Sequence, residues 1–309
     1  MSAVFDARYL AIALAIVGAG FLAFGTQFQN DAVGETSGNK KAQLHGSVNI
    51  KQMLKLARNK RWLLGMTLIG GALVLQIAAL SMAPLIVVQP LGAIALVITS
   101  LLNARISRTK LNKVTVLAIS LCMLGVGLFV VRASAIAHGV PITDDLLLQV
   151  MFTLSAIILI FAFFLWRSKG KAKAITYIMG AGILYGFVAT LTKVVIVRIE
   201  QGQFEWLTVA CALVLGVAVV MGGWFVQNAY ASGPPDLVIA GLTVVDPLVA
   251  VLIAITILQE AKEASLLEIF GFLISGAIAV TGVLLLSQFH PQILLAKRRA
   301  KLFKRRSKK

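Results

Sequence analysis

The sequence predicts an all-α polytopic membrane protein of nine transmembrane helices, arranged as a 4+1+4 inverted-topology repeat. Three observations carry that prediction. The chain is 59% hydrophobic with a mean hydropathy of +0.92, far above the mix of a soluble domain. A short motif occurs twice, each time inside an apolar run: Val87-Val88-Gln89-Pro90-Leu91-Gly92-Ala93 and Val244-Val245-Asp246-Pro247-Leu248-Val249-Ala250. Basic residues fall overwhelmingly on one side of the alternating spans.

Nine runs have the roughly 18–25 residues needed to cross about 30 Å of hydrocarbon. They lie near 9–28, 62–82, 84–104, 114–131, 146–166, 174–198, 204–226, 236–258 and 264–287. In lipid such runs must be helical, because each backbone amide has to be satisfied within its own segment. The first run reads as a span rather than a cleaved leader. Its amino-terminal flank carries only Arg8, and no small-residue cleavage site follows.

If the connection after span 1 is cytoplasmic, the alternating cytoplasmic segments hold 24 Lys and Arg residues. The other side then holds four: Arg8, Arg132, Arg198 and Lys262. The positive-inside rule accordingly puts the N-terminus outside and the C-terminus in the cytoplasm of a plasma-membrane protein. Trp62, Trp166, Trp206 and Trp224 fall at or near span ends, as an aromatic belt does. The net charge of +17 is thus a topology signal, not a nucleic-acid footprint. Its tail, 289–309, is suited to anionic lipid headgroups.

Spans 1–4 (residues 1–132) and spans 6–9 (174–288) form two units, with span 5 inside the linking segment 133–173. Gly18-Ala19-Gly20 recurs as Gly180-Ala181-Gly182 at equivalent positions. A four-span unit begins and ends on one side, so a single intervening helix inserts the second unit upside down. The cytoplasmic loop 29–61 breaks the symmetry. Within it Ile50, Met53, Leu54 and Ala57 share one helical face, so a short basic amphipathic helix on the leaflet is one reading and an unstructured tether the other.

Polar residues inside the spans are the candidate site. Asp246 lies near the middle of span 8, where a carboxylate costs a few kcal/mol unless paired, protonated or wetted. Pro247 frees a backbone carbonyl beside it. Gln89 holds the equivalent place before Pro90, suited to orienting a polar substrate or to bonding another helix. Lys193 lies about 10 Å from the centre of span 6, placed to pair with Asp246, to meet an anionic group, or to snorkel outward. Thr26 and Gln27, with Gln29, close span 1; Thr190 and Thr192 stand near Lys193; Gln76 and Tyr185 are further in-span polar groups. Cys122 and Cys211 fall inside spans and read as packing residues. No P-loop, nucleophile elbow or metal-ligand spacing is present, so neither cofactor nor enzymatic function is expected.

Ala79-Leu80-Ser81-Met82-Ala83-Pro84 leading into Gln89-Pro90, and Ala231-Ser232-Gly233-Pro234-Pro235 leading into Asp246-Pro247, resemble the drug/metabolite transporter superfamily (EamA-like permeases). So does Gly186 followed by Leu191-Thr192-Lys193. The 4+1+4 count departs from that family's usual five-plus-five and resembles its NIPA-like magnesium-transporter branch. The resemblance implies a secondary transporter working by alternating access on a small metabolite, drug or cation. One carboxylate is thin provision for a divalent ion, which ranks a metabolite or lipophilic compound ahead of Mg²⁺ at this stage. The rival class is a lipid or lipid-linked-sugar flippase, or a non-transporting membrane subunit. A homodimer is compatible with all of these readings.

Overall fold

The computed structural model describes residues 2–37, 58–106, 111–168, 174–232 and 235–289. Among them every regular element is helical: α1 Ser2–Ser37, α2 Lys60–Met82, α3 Leu85–Val88, a 3₁₀ turn Gln89–Gly92, α4 Ala93–Ile106, α5 Lys113–Ile136, α6 Asp144–Ser168, α7 Ala174–Glu200, α8 Trp206–Ser232, α9 Pro235–Thr256 and α10 Leu266–Phe289. Eight membrane-length apolar segments emerge, α3, the 3₁₀ turn and α4 counting together as one; a shorter apolar stretch, Gly241–Thr256, lies within α9. The chain is a multi-pass helical membrane protein.

Helix starts follow capping chemistry. Asn59 Oδ1 accepts from Arg61 N at 2.9 Å, and Asn112 Oδ1 from Thr115 N at 2.6 Å, each meeting orphan amides of a first turn. α1 extends past its expected end at residue 28 to Ser37. The expected amphipathic helix near 50–57 and the basic tail from 290 lie outside the described residues.

The broadest helix contacts join α1 to α2, α5 to α10, α7 to α8, and α7 to α9. Several seams depend on glycine. A Cβ on Gly125 of α5 would stand 2.3 Å from Ala279 N of α10, and one on Gly282 would stand 2.4 Å from Cys122 N. α5 and α10 therefore touch backbone to backbone, the close approach small residues permit in membranes. Gly182 and Gly186 give α7 the same intimacy with Val245 and Val249 of α9.

α6 lies at the periphery, with Phe152, Leu159, Phe163 and Trp166 between 61% and 76% exposed. Such a surface suits lipid, where apolar exposure carries no penalty. One tryptophan departs from the belt expectation. Trp224 sits two turns inside α8, ring to ring with Phe225 at 5.2 Å, because α8 continues to Ser232 instead of ending near 226.

Candidate functional site

The repeated prolines meet. Pro90, in the 3₁₀ turn, and Pro247, inside α9, line one apolar crevice of about 70 Å³ with Val126 and Phe129 of α5 and Ala279 and Val283 of α10. Gln89 precedes the first proline and is half-buried.

Asp246 precedes the second. Its Oδ1 is fully buried and finds no hydrogen-bond partner among the described residues. A buried carboxylate oxygen left in that state costs several kcal/mol when ionised. Tyr185 of α7 lies within electrostatic reach of it, and α7 runs so close that a Cβ on Gly182 would sit 3.4 Å from Asp246 N. Here α7 and α9 bring a carboxylate and a phenol into one part of the bundle. That set can hold a cation or a proton.

Lys193 goes elsewhere. Only 6% exposed, its Nζ donates to the carbonyls of Leu80 and Ala83, the latter at 3.0 Å. These belong to the corner where α2 ends and α3 begins. On the other side of that corner the carboxylate of Glu260, 3% exposed, accepts from Leu85 N at 2.9 Å and Ile86 N at 2.8 Å. Lys193 and Glu260 lie within electrostatic reach of each other and share a polar cavity of about 260 Å³ with Ser81, Glu200 and Gln201. Glu260 stands in the α9–α10 connection, outside the spans, where burial pushes its carboxyl up to about 7 against the pull of the two amides and Lys193.

Sequence reasoning missed Glu260 and misjudged Arg198. Both sit in or next to connections, where a charge reads as solvated. Arg198 is 1% exposed. It bonds Asp144 at 2.6 Å, Gln203 Oε1 at 2.7 Å and Thr208 Oγ1 at 3.3 Å, tying the α7–α8 turn to the start of α6. Gln203, which could have flagged it, carries no signal in sequence.

The other candidates stay within their own helices. Thr26 donates to Leu22 O at 2.9 Å, Thr190 to Gly186 O at 2.9 Å, and Gln27 Nε2 to Asp31 Oδ1 at 2.9 Å. None of these bonds reaches Asp246. Among the described residues, no three His, Cys, Asp or Glu side chains gather as a metal-binding group.

With this geometry in view, the likeness to known proteins becomes informative. The profile of the family described as "Magnesium transporter NIPA" matches residues 7–292. Magnesium transporter NIPA4 of Mus musculus is 25% identical over 248 residues, covering 75% of this chain and 60% of the relative. An uncharacterized protein of Corynebacterium glutamicum is 23% identical over 256 residues, covering 82% and 86%. A protein of Arabidopsis thaliana named "Probable magnesium transporter NIPA9" is 28% identical over 198 residues, covering 59% and 56%. The chain thus spans under two thirds of the length of the mouse and plant relatives. No solved structure matches. The chain belongs to the NIPA magnesium transporter family, a family of membrane transporters and not of enzymes.

Proposed function

We propose that this member of the NIPA family carries Mg²⁺ across the plasma membrane by alternating access, with Asp246 as the carboxylate that meets the cation. One observation carries the reading: Asp246 presents a buried, unpartnered oxygen beside a proline in a membrane helix. Mg²⁺ sheds water reluctantly and is held through one or two carboxylates with its hydration largely kept. A lone acidic side chain with Tyr185 nearby suits a hydrated ion.

At the prolines themselves, size argues against the drug or metabolite alternative. A pocket for such a ligand runs to about 300–1,000 Å³, and the crevice between the prolines holds about 70 Å³.

The packing order supports an inverted repeat. In each set of four spans the first packs on the second and on the third, while α5 and α10, the last of each, pack on one another. On this reading the 24-to-four charge asymmetry puts the basic ends in the cytoplasm.

The test is flux into liposomes carrying the purified protein and an internal Mg²⁺ indicator. Uptake in wild type and none in Asp246→Asn is expected. Absence of uptake in a wild-type protein that melts cooperatively would refute the cargo.

One observation favours a second reading. An apolar groove of about 540 Å³ opens between α1 and α5 with Arg8 at one end, the lateral opening a lipid flippase requires. Scrambling of a fluorescent anionic phospholipid in the same liposomes would select it.

A further inference from the structure

The α2–α3 corner holds two buried carbonyls that meet Lys193 in place of backbone donors. A helix leaves its last carbonyls without donors, and here the deficit is enforced. Leu80 O would receive its bond from residue 84, which is Pro84 and has no N–H. Ala83 O would receive its bond from Val87 N, which instead bonds Pro84 O. Both carbonyls are buried, Leu80 being 1% and Ala83 2% exposed. The adjoining negative charge is Glu260, itself fixed by two backbone amides. Two buried neutral oxygens beside one buried carboxylate call for one positive charge.

We propose that Lys193 is a tethered cation, its ammonium filling a site on Leu80 O and Ala83 O, within electrostatic reach of Glu260, that a free monovalent cation would otherwise occupy. The buried charge sets the class: Glu260 is buried while Glu200 on the same cavity is exposed to solvent, so one cation neutralises the corner. The ligands are hard oxygens, which suit Na⁺ and K⁺. The polar cavity that Lys193 and Glu260 share with Ser81, Glu200 and Gln201 supplies the route by which a free ion would arrive. A protein that carries its own cation at this corner has no need of Na⁺ or K⁺ there.

The experiment is thermal melting of the detergent-purified full chain at pH 8, where Glu260 is ionised, in sodium, potassium or choline chloride at one ionic strength. Wild type is expected to melt alike in all three. Lys193→Ala opens the site, so it should melt several degrees lower in choline and recover half or more of that loss in Na⁺ or K⁺. The recovery should grow with the logarithm of cation concentration, as binding to the folded state requires. In Lys193→Ala/Glu260→Gln the cation response should vanish, because the neighbouring negative charge that attracts the ion is gone.

The idea is overturned by a Lys193→Ala protein that melts alike in all salts, or aggregates equally in all of them. A double variant that is still rescued places the ion elsewhere, and a wild type raised by Na⁺ above choline has an unfilled site. Both overturn it too. No arm involves transport, so the result is independent of the Mg²⁺ reading.

Discussion

Residues 87–93 and 244–250 share a Val-Val-X-Pro-Leu frame but take different backbones. The first is a 3₁₀ turn over Gln89–Gly92; the second continues as α-helix through Pro247. What precedes each proline explains the divergence. α3 starts at Leu85, only four residues before Gln89, so there is little helix for Pro90 to interrupt and the turn tightens locally. α9 has run from Pro235 and absorbs Pro247 as a single missing bond within an established ladder. Chemistry diverges with geometry. The first motif offers an amide, the second a buried carboxylate oxygen with no partner. A duplicated sequence has thus given one half a bend and the other a charge.

The sharpest way to break that contrast is to remove the charge and keep the shape. Asp246→Asn should lower Mg²⁺ flux at least tenfold, the range expected when a charge–ion contact of about 1.4 kcal/mol or more is lost. Its melting temperature should hold or rise, since a buried ionisable group without a partner is relieved. Gln89→Ala should change flux far less. Equal losses in the two variants, measured in the same liposome assay, would mean that both motifs act alike and that the carboxylate has no special role.

Next in size is the seam joining the two sets of spans. On α5, Gly125 and Gly127 lie two residues apart, yet a Cβ on the first meets the α10 backbone at 2.3 Å while one on the second meets nothing within 4 Å. Gly125→Ala should destabilise by about 1–3 kcal/mol through overpacking, and Gly127→Ala by less than about 0.5 kcal/mol. Detergent melting curves check both. If the variants behave alike, the α5–α10 contact is looser than described.

The helical spans and the duplicated proline motif were legible in sequence, because length, hydropathy and repetition are local signals. The Lys193 partners were not. The helix pattern placed the ammonium at its depth in α7, but its acceptors are two carbonyls more than a hundred residues away, freed by a proline that read simply as a span boundary. Glu260 hid for the related reason that its function depends on being covered. A carboxylate two residues past a predicted span looks solvated until the corner of α2 and α3 is found beneath it. Arg198 was counted as a surface charge on the same grounds. Residues in connections carry no periodicity, so only the folded packing reveals which of them are inside.

Glu260 therefore supplies a pH test of the corner. Burial raises its carboxyl from an ordinary 4.5 to about 7. An acid with a raised folded value holds a proton that the unfolded chain releases, so its contribution to stability falls as pH rises between those values. Wild type should lose melting temperature from pH 5 to pH 7.5 more steeply than Glu260→Gln, which has nothing to titrate. Parallel curves would mean that the two amides and Lys193 outweigh burial and keep Glu260 ionised throughout.

The smallest effect returns to the prolines. In α9, Pro247 denies Thr243 O its amide donor, so Pro247→Ala can restore one backbone bond, worth a net of about 1 kcal/mol. At Pro90 the substitution has less to restore, because the helix before it is a single turn, Leu85–Val88, that passes at once into 3₁₀ geometry. The expected order is a modest rise in melting temperature for Pro247→Ala and almost none for Pro90→Ala. Hydrogen exchange at residue 247 should show protection appearing with the alanine. If Pro247→Ala instead lowers the melting temperature, the ring's packing against Val126 and Phe129 in the shared crevice is worth more than the missing bond. Pro247 would then be a packing residue like any other in the seam, and the difference between the two motifs would rest on Asp246 alone.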